Sequence, residues 1–262
     1  MRIGLLGDTH GNHAWIKFAA RQFEELGITT VIQVGDLGVS ANVREAHRWD
    51  RTNKYLRLRG ITMLVAPGNH DDYDYIDRMT PREDGWLQYR SQILLAPRGL
   101  RTEMGGRSFV WLGGAGSVDR TLREQWRREG NGQRYWWPQE AVTDQDVANT
   151  VAGGHADVMV AHDAPFGVPE IDVRLVRTKH RWDTEDLQYA HACRETFTRA
   201  VAGVQPELLL HGHYHFAVRG RWQHPDTSHE TRVFGLSMDW DLGYGLGVLA
   251  TETISAEHVG VA

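Results

Sequence analysis

Five short apolar runs in this chain each stop at a cluster of polar residues: Asp8-Thr-His10, Gly35-Asp36, Gly68-Asn69-His70, His162-Asp163 and Gly212-His213-Tyr-His215. Runs of this length with turn glycines read as strands, and a polar cluster behind every strand restricts how the strands can be arranged. In the first third, apolar runs alternate with amphipathic stretches, as βα units do, so these strands are expected to be largely parallel. Parallel strands end along one edge of a sheet, and that edge is where α/β folds place ligands. Residues more than 200 positions apart, Asp8 and His215 among them, are therefore predicted to converge.

The remaining pattern is consistent with such a frame. Asn12 is a plausible N-cap for a helix carrying Trp15, Phe18, Ala19, Phe23 and Leu26 at helical spacing until Gly27. Val31–Val34 reads as a second strand, residues 41–58 as a helix, and residues 61–65 as a third strand running into Pro67-Gly68. From Ile93 the strands become short and closely spaced, with Met104-Gly-Gly-Arg107 as a hairpin turn, and this part reads as antiparallel. An Arg- and Trp-rich insertion is expected at about 119–150, a loop up to Asp183, a helix through Leu187, Ala190, Cys193, Phe197 and Val201, and three or four antiparallel strands to the end. With no internal repeat, low-complexity tract or linker, residues 1–262 are expected to form a single domain.

Composition narrows the function classes. A net charge of −5 gives no overall basic field, so nucleic acid and anionic membranes are not favoured as partners. The apolar run Ile3–Gly7 is too short for a signal-peptide core or a membrane span, which predicts a soluble cytoplasmic protein. Cys193 is the sole cysteine and excludes an intrachain disulfide or a thiolate zinc cluster. Gly113–Gly116 lacks the lysine and helix start of a phosphate-binding loop. The 14 histidines are numerous for this length, and imidazole binds divalent transition metals. Together, the clusters offer two carboxylates, one carboxamide and several imidazoles, an oxygen and nitrogen set suited to manganese, iron or zinc. Asp8 and His10, like His213 and His215, are two apart and project to one side of an extended segment. Six or seven such donors exceed one tetrahedral zinc and suit two ions sharing a carboxylate. Such a pair can hold a hydroxide between its ions and clamp phosphoryl oxygens.

The blocks D-x-H, G-D, G-N-H, a lone His after a strand and G-H-x-H occur here in order, and in this the sequence resembles the calcineurin-like metallophosphoesterases from Gly4 to His215. Gly113–Asp119 followed by Trp136-Trp-Pro-Gln-Glu140 resembles a bacterial and phage branch of that superfamily. The resemblance implies a four-layer α/β/β/α sandwich with two mixed β-sheets. It also implies two divalent ions, manganese favoured with iron or zinc as alternatives. Asp8, His10, Asp36 and His215 would hold the first ion, and Asp36, Asn69, His162 and His213 the second, with Asp36 as the bridge. His70 would face the substrate, stabilising phosphoryl charge or protonating the leaving oxygen.

The chain departs from the family pattern in two places. Many members continue the second block as G-D-x-x-D, whose second aspartate orients the histidine of G-N-H. Here that place is Val39, which leaves Asp71, Asp72 or an insertion residue as candidates to orient His70. The arginines with which protein Ser/Thr phosphatases grip a phosphomonoester dianion are also absent, since Ser40 and Asp71-Asp72-Tyr73 occupy those neighbourhoods. A phosphodiester, carrying less charge, is therefore the favoured substrate, nucleotide-type or another small molecule. A phosphomonoesterase of the same fold is the alternative, and a nuclease and a non-catalytic scaffold are minor ones. Arg174, Arg177 and Arg181 are substrate-binding candidates because they follow His162 in the expected loop. Arg120, Arg123, Arg127, Arg128 and Arg134 are interleaved with Trp126, Tyr135, Trp136 and Trp137, which are expected to pack on the sandwich rather than form a lid. His211 lies outside the ligand pattern and is expected to be packed.

Overall fold

The computed structural model describes residues 1–130, 134–225 and 227–260, so residues 131–133 of the expected insertion lie outside the described residues. The chain opens as β1 (Arg2–Leu6), α1 (His13–Glu25), β2 (Thr30–Gln33), α2 (Val43–Leu58), β3 (Thr62–Val65) and a single turn, α3 (Tyr73–Ile76). Strands β4 (Leu87–Arg90), β5 (Ile93–Leu95), β6 (Arg101–Met104) and β7 (Arg107–Leu112) follow. Helices α4 (Arg120–Glu129) and α5 (Asp144–Ala152) precede β8 (Val158–Ala161), and α6 (Pro169–Thr178) and α7 (Thr184–Val204) precede β9 (Leu208–His211). Four strands close the fold: β10 (Val218–Gln223), β11 (Glu230–Gly235), β12 (Leu246–Ala250) and β13 (Ser255–His258).

Two mixed sheets result, in the orders β13-β12-β1-β2-β3-β5-β4 and β10-β11-β9-β8-β7-β6. Each has four consecutive parallel strands at its centre, β1, β2, β3 and β5 in one and β11, β9, β8 and β7 in the other, with antiparallel strands outside them. The two-residue side-chain period of a strand explains the layering. Phe109 and Trp111 join a core shared by both sheets, while Val110 and Leu112 join a core under the helices. Val158/Val160 against Met159/Ala161, and Leu208/Leu210 against Leu209, divide in the same way. On the other sheet Ile32 and Leu64 face inward, whereas Val31, Met63 and Val65 meet Trp15, Ile16, Phe23 and Trp49 of α1 and α2. Helices thus cover both outer faces of a double sheet, giving the expected α/β/β/α order.

Local signals agree at several points. Asn12 caps α1 by accepting from the Trp15 N–H, and Gly27, just past the end, adopts φ +68°. Gly105 and Gly106, both at positive φ, turn the β6–β7 hairpin. Three expectations need correction. The stretch from Ile93 is not wholly antiparallel, because β5 pairs parallel with β3 and β7 with β8. Nor are the last strands, since β11 lies parallel to β9. Strands buried on both faces show no alternation, so periodicity cannot distinguish them from a run of hairpins. The loop expected after His162 contains α6, followed by a 3-10 turn at Lys179–Arg181. Its apolar positions Ile171 and Leu175, four apart, pack on the β8–β9 face. Among the described residues, no helix is long and apolar enough to cross a membrane.

Candidate metal centre

The five polar clusters leave the carboxyl ends of β1, β2, β3, β8 and β9, and their side chains converge. Donor atoms of Asp8, His10, Asp36 and His215 lie within 4.8 Å of one another. His215 Nε2 is 3.3 Å from Asp8 Oδ2, and His10 Nε2 is 3.5 Å from Asp36 Oδ2. A second group adjoins it, in which Asn69 Oδ1 is 3.0 Å from His162 Nε2 and 3.1 Å from His213 Nδ1. His162 Nε2 is also 3.3 Å from Asp36 Oδ1. Asp36 therefore turns one carboxylate oxygen to each group.

Packing at this site needs unusual backbone. A Cβ on Gly68 would collide with the Asp36 carboxylate and the His162 ring, so only glycine lets these loops close together. His10, Asp36, His213 and His215 have φ of 45°, 53°, 68° and 57°, in the left-handed region. Each costs on the order of 1 kcal/mol, and such strain characteristically gathers at functional sites. Asp71, itself buried, ties two of the loops together by accepting from the N–H groups of Gly38 (2.8 Å), Val39 (2.7 Å) and Gly68 (2.8 Å). Burial, with the Asp36 charge adding to it, pushes its carboxyl up to about 6.

The donor set fits a cation. His162 is fully buried, and its Nδ1 donates to Val34 O at 2.8 Å, so Nε2 carries the ring's lone pair. That lone pair would face two oxygen acceptors, on Asn69 and Asp36, which is unfavourable unless positive charge lies between them. Burial opposes charging of His162, yet the Asp36 carboxylate raises it to about 10. Burial likewise works against ionised Asp36, but His162, His70 and His10 hold it well below the usual carboxylate range. His10 presents Nε2 to the site while Nδ1 lies 3.8 Å from Asp239, the carboxylate support common behind metal-binding histidines. Asp239 in turn accepts from Asn12 Nδ2 at 2.6 Å.

Several important residues escape the five blocks. Asn69 Nδ2 donates to Ser117 Oγ at 2.9 Å, which directs Oδ1 at the two histidines. Ser117 is held by Glu140 twice, through Oγ (2.7 Å) and N–H (2.8 Å). Burial pushes Glu140 up to about 7. Ser117 and Glu140 lie in the runs Gly113–Asp119 and Trp136–Glu140. They form an outer brace for one donor. Ser117→Ala is expected to weaken metal retention roughly 10- to 100-fold, as loss of outer support does elsewhere. Glu140→Gln, which keeps one acceptor, should cost less. Metal titration followed by thermal shift measures both, and retention equal to the unaltered protein in the two variants would remove the brace from the site.

The question of what meets His70 is answered by the insertion. Asp71 is committed to backbone N–H groups, and Asp72 caps α3 through the Tyr75 N–H. Arg123, on α4, places Nη2 in hydrogen-bond contact with His70 Nε2. A guanidinium only donates, so Nε2 accepts and the ring is neutral with its proton on Nδ1. Burial and Arg123 lower His70 to about 4, against the opposing Asp36 charge. Three other insertion arginines turn elsewhere: Arg120 pairs with Asp186, Arg127 with Glu124 and Arg134 with Asp74. Its aromatics divide, Trp137 being buried while Trp126 and Tyr135 are exposed. Arg174 stacks over Phe216, the neighbour of His215, and Arg177 lies on the same helix, α6, with Arg181 in the 3-10 turn behind it. His211 is buried, with Nδ1 donating to Gly212 O.

The profile of the calcineurin-like phosphoesterases matches residues 1–217, and the chain belongs to that family. Among solved structures it is similar to TT1561 of Thermus thermophilus, with 12% identity and a TM-score of 0.59, over 100% of this chain and 99% of that one. It is also similar to a dimetal phosphatase from Danio rerio, with 13% identity and a TM-score of 0.50, over 95% of this chain and 91% of that one. Identities this low speak for the fold. No curated protein sequence matches the chain. Family and donor cluster together point to a divalent metal site in a phosphoester hydrolase.

Proposed function

We propose that the protein is a dinuclear metal-dependent phosphodiesterase acting on small diesters, cyclic nucleotides among the candidates, with manganese as the favoured metal. The observation that carries this reading is the Asp36 carboxylate, with one oxygen toward His10 and the other toward His162. Asp8, His10 and His215 would complete one site, and Asn69, His162 and His213 the other. Bound there, two ions would polarise phosphoryl oxygens and ease deprotonation of water near neutral pH. The chain's own residues do the rest. Asp36 joins the two sites, Asn69 is fixed by Ser117, and the backbone N–H of His70 donates to Asp36 Oδ1 at 2.7 Å. The His70 ring is thereby set beside both sites, with 36% of its side chain exposed, against 1% for Asp36. Arg174, Arg177 and Arg181 are retained as substrate-positioning candidates, supported by the seat of Arg174 over Phe216.

Charge bears on the choice between diester and monoester. Arg123 adds a cation beside His70, which favours a dianion and keeps a phosphomonoesterase as the second reading. Its Nε, however, is 2.8 Å from Asp119, and a neutralised pair clamps a monoanion more readily than it satisfies a dianion. Hydrolysis of bis(p-nitrophenyl) phosphate should therefore exceed that of p-nitrophenyl phosphate in Mn²⁺, and a panel with 2′,3′- and 3′,5′-cyclic nucleotides would narrow the substrate. Monoester turnover far above diester turnover would reverse the order. Cleavage confined to linear nucleic acid would favour a nuclease, and inactivity of metal-loaded protein across the panel a scaffold.

A further inference from the structure

A phosphoryl group bound between the two donor groups would carry oxygens beyond the reach of any ion, and these need a donor from the protein. The stretches after Gly35-Asp36 and after His70 provide no arginine. We propose that Arg123, delivered by α4, is the guanidinium that grips the substrate phosphoryl group. The inference rests on the phosphoesterase reading above.

Arg123 is only 3% exposed and reaches the donor groups, Nη2 touching His70 Nε2 and Nη1 lying 3.4 Å from Asn69 O. Burying a charged side chain is costly unless it is paired, and most surface arginines avoid that cost. Here Asp119, one turn earlier, fixes Nε at 2.8 Å, and Tyr135 O lies 3.5 Å from Nη1. Nε and Nη1 are thus held by oxygen acceptors, and Nη2 is left to His70. In the free protein Nη2 meets a neutral ring nitrogen, a weaker acceptor than an anionic phosphoryl oxygen. Arriving substrate would offer the better partner without repositioning the helix. Arg120, on the same helix, is anchored to Asp186 and lies over Tyr189 and Trp136, which fixes α4 independently of Arg123.

The test uses Mn²⁺-loaded protein with bis(p-nitrophenyl) phosphate as substrate and inorganic phosphate as competitive inhibitor. Arg123→Ala should raise KM and the phosphate inhibition constant by roughly tenfold to a hundredfold, the usual worth of a charged hydrogen bond, while kcat changes less and both ions stay bound. Arg123→Lys should recover part of the loss, and Arg123→Gln, similar in reach but uncharged, should not. Arg127→Ala, which loses only a surface pair with Glu124 on the same helix, should leave both constants unchanged. The proposal is overturned if Arg123→Ala or Arg123→Gln, folded and holding two ions, keeps the unaltered protein's constants. It is equally overturned if Arg127→Ala reproduces the effect, because loss of positive charge from α4 would then be the cause. Unaltered protein that binds no ions or cleaves no phosphoester sinks the phosphoesterase reading and this inference with it, a result read before any variant is made.

Discussion

Asp36→Ala is expected to leave the protein unable to hold either ion, whereas loss of any other single donor should empty one site at most. The asymmetry follows from the carboxylate's two faces, 3.5 Å from His10 through Oδ2 and 3.3 Å from His162 through Oδ1. His10 has Asp239 behind it, and His162 has Asn69 beside it, but only Asp36 stands in both groups. Metal content after dialysis, with thermal melting in and out of Mn²⁺, measures the effect. At an ion concentration of 100 Kd, the unaltered protein should gain about 2.7 kcal/mol per site, and Asp36→Ala close to none. The N–H of His70 loses its acceptor in that variant. Asp36→Asn, which keeps one oxygen for it, therefore serves as the check that the chain still folds. Two ions per chain in Asp36→Ala would contradict the shared-carboxylate assignment and with it the dinuclear reading.

Much of this centre could be read along the chain because all five blocks obey one rule, a polar cluster directly after a buried strand. The structure extends the rule to two further strands, β7 and β11. Ser117 follows β7 and Asp239 follows β11, so they too arrive at the site, where one braces Asn69 and the other backs His10. Single serines and aspartates in glycine-rich loops carry no spacing signal, which is why neither stood out. Strand direction in the second half was hidden for a related reason. Strands β7, β8 and β9 are apolar on both faces because helices cover one side and the other sheet covers the other, and such runs look alike whether parallel or antiparallel. Arg123 was visible only as one of several insertion arginines. Which of them turns inward depends on tertiary placement, with Arg120, Arg127 and Arg134 each drawn to a carboxylate elsewhere.

His70→Ala should separate chemistry from metal binding. The backbone N–H that donates to Asp36 survives the substitution, and the imidazole belongs to neither donor group, its nearest approach to Asp36 Oδ2 being 3.8 Å. Both ions should therefore remain while turnover falls by roughly 10²–10⁴, the range for loss of a positioned acid or base. Arg123 sharpens this expectation. Because its guanidinium contacts Nε2, the two side chains should not act independently, and His70→Ala combined with Arg123→Ala should lose less in kcat/KM than the two single losses predict. Strict additivity would mean that the contact in the free protein has no part in the reaction. Unchanged turnover in His70→Ala would be more serious, since it would remove from the mechanism the ring that lies beside Asp36 without belonging to either donor group.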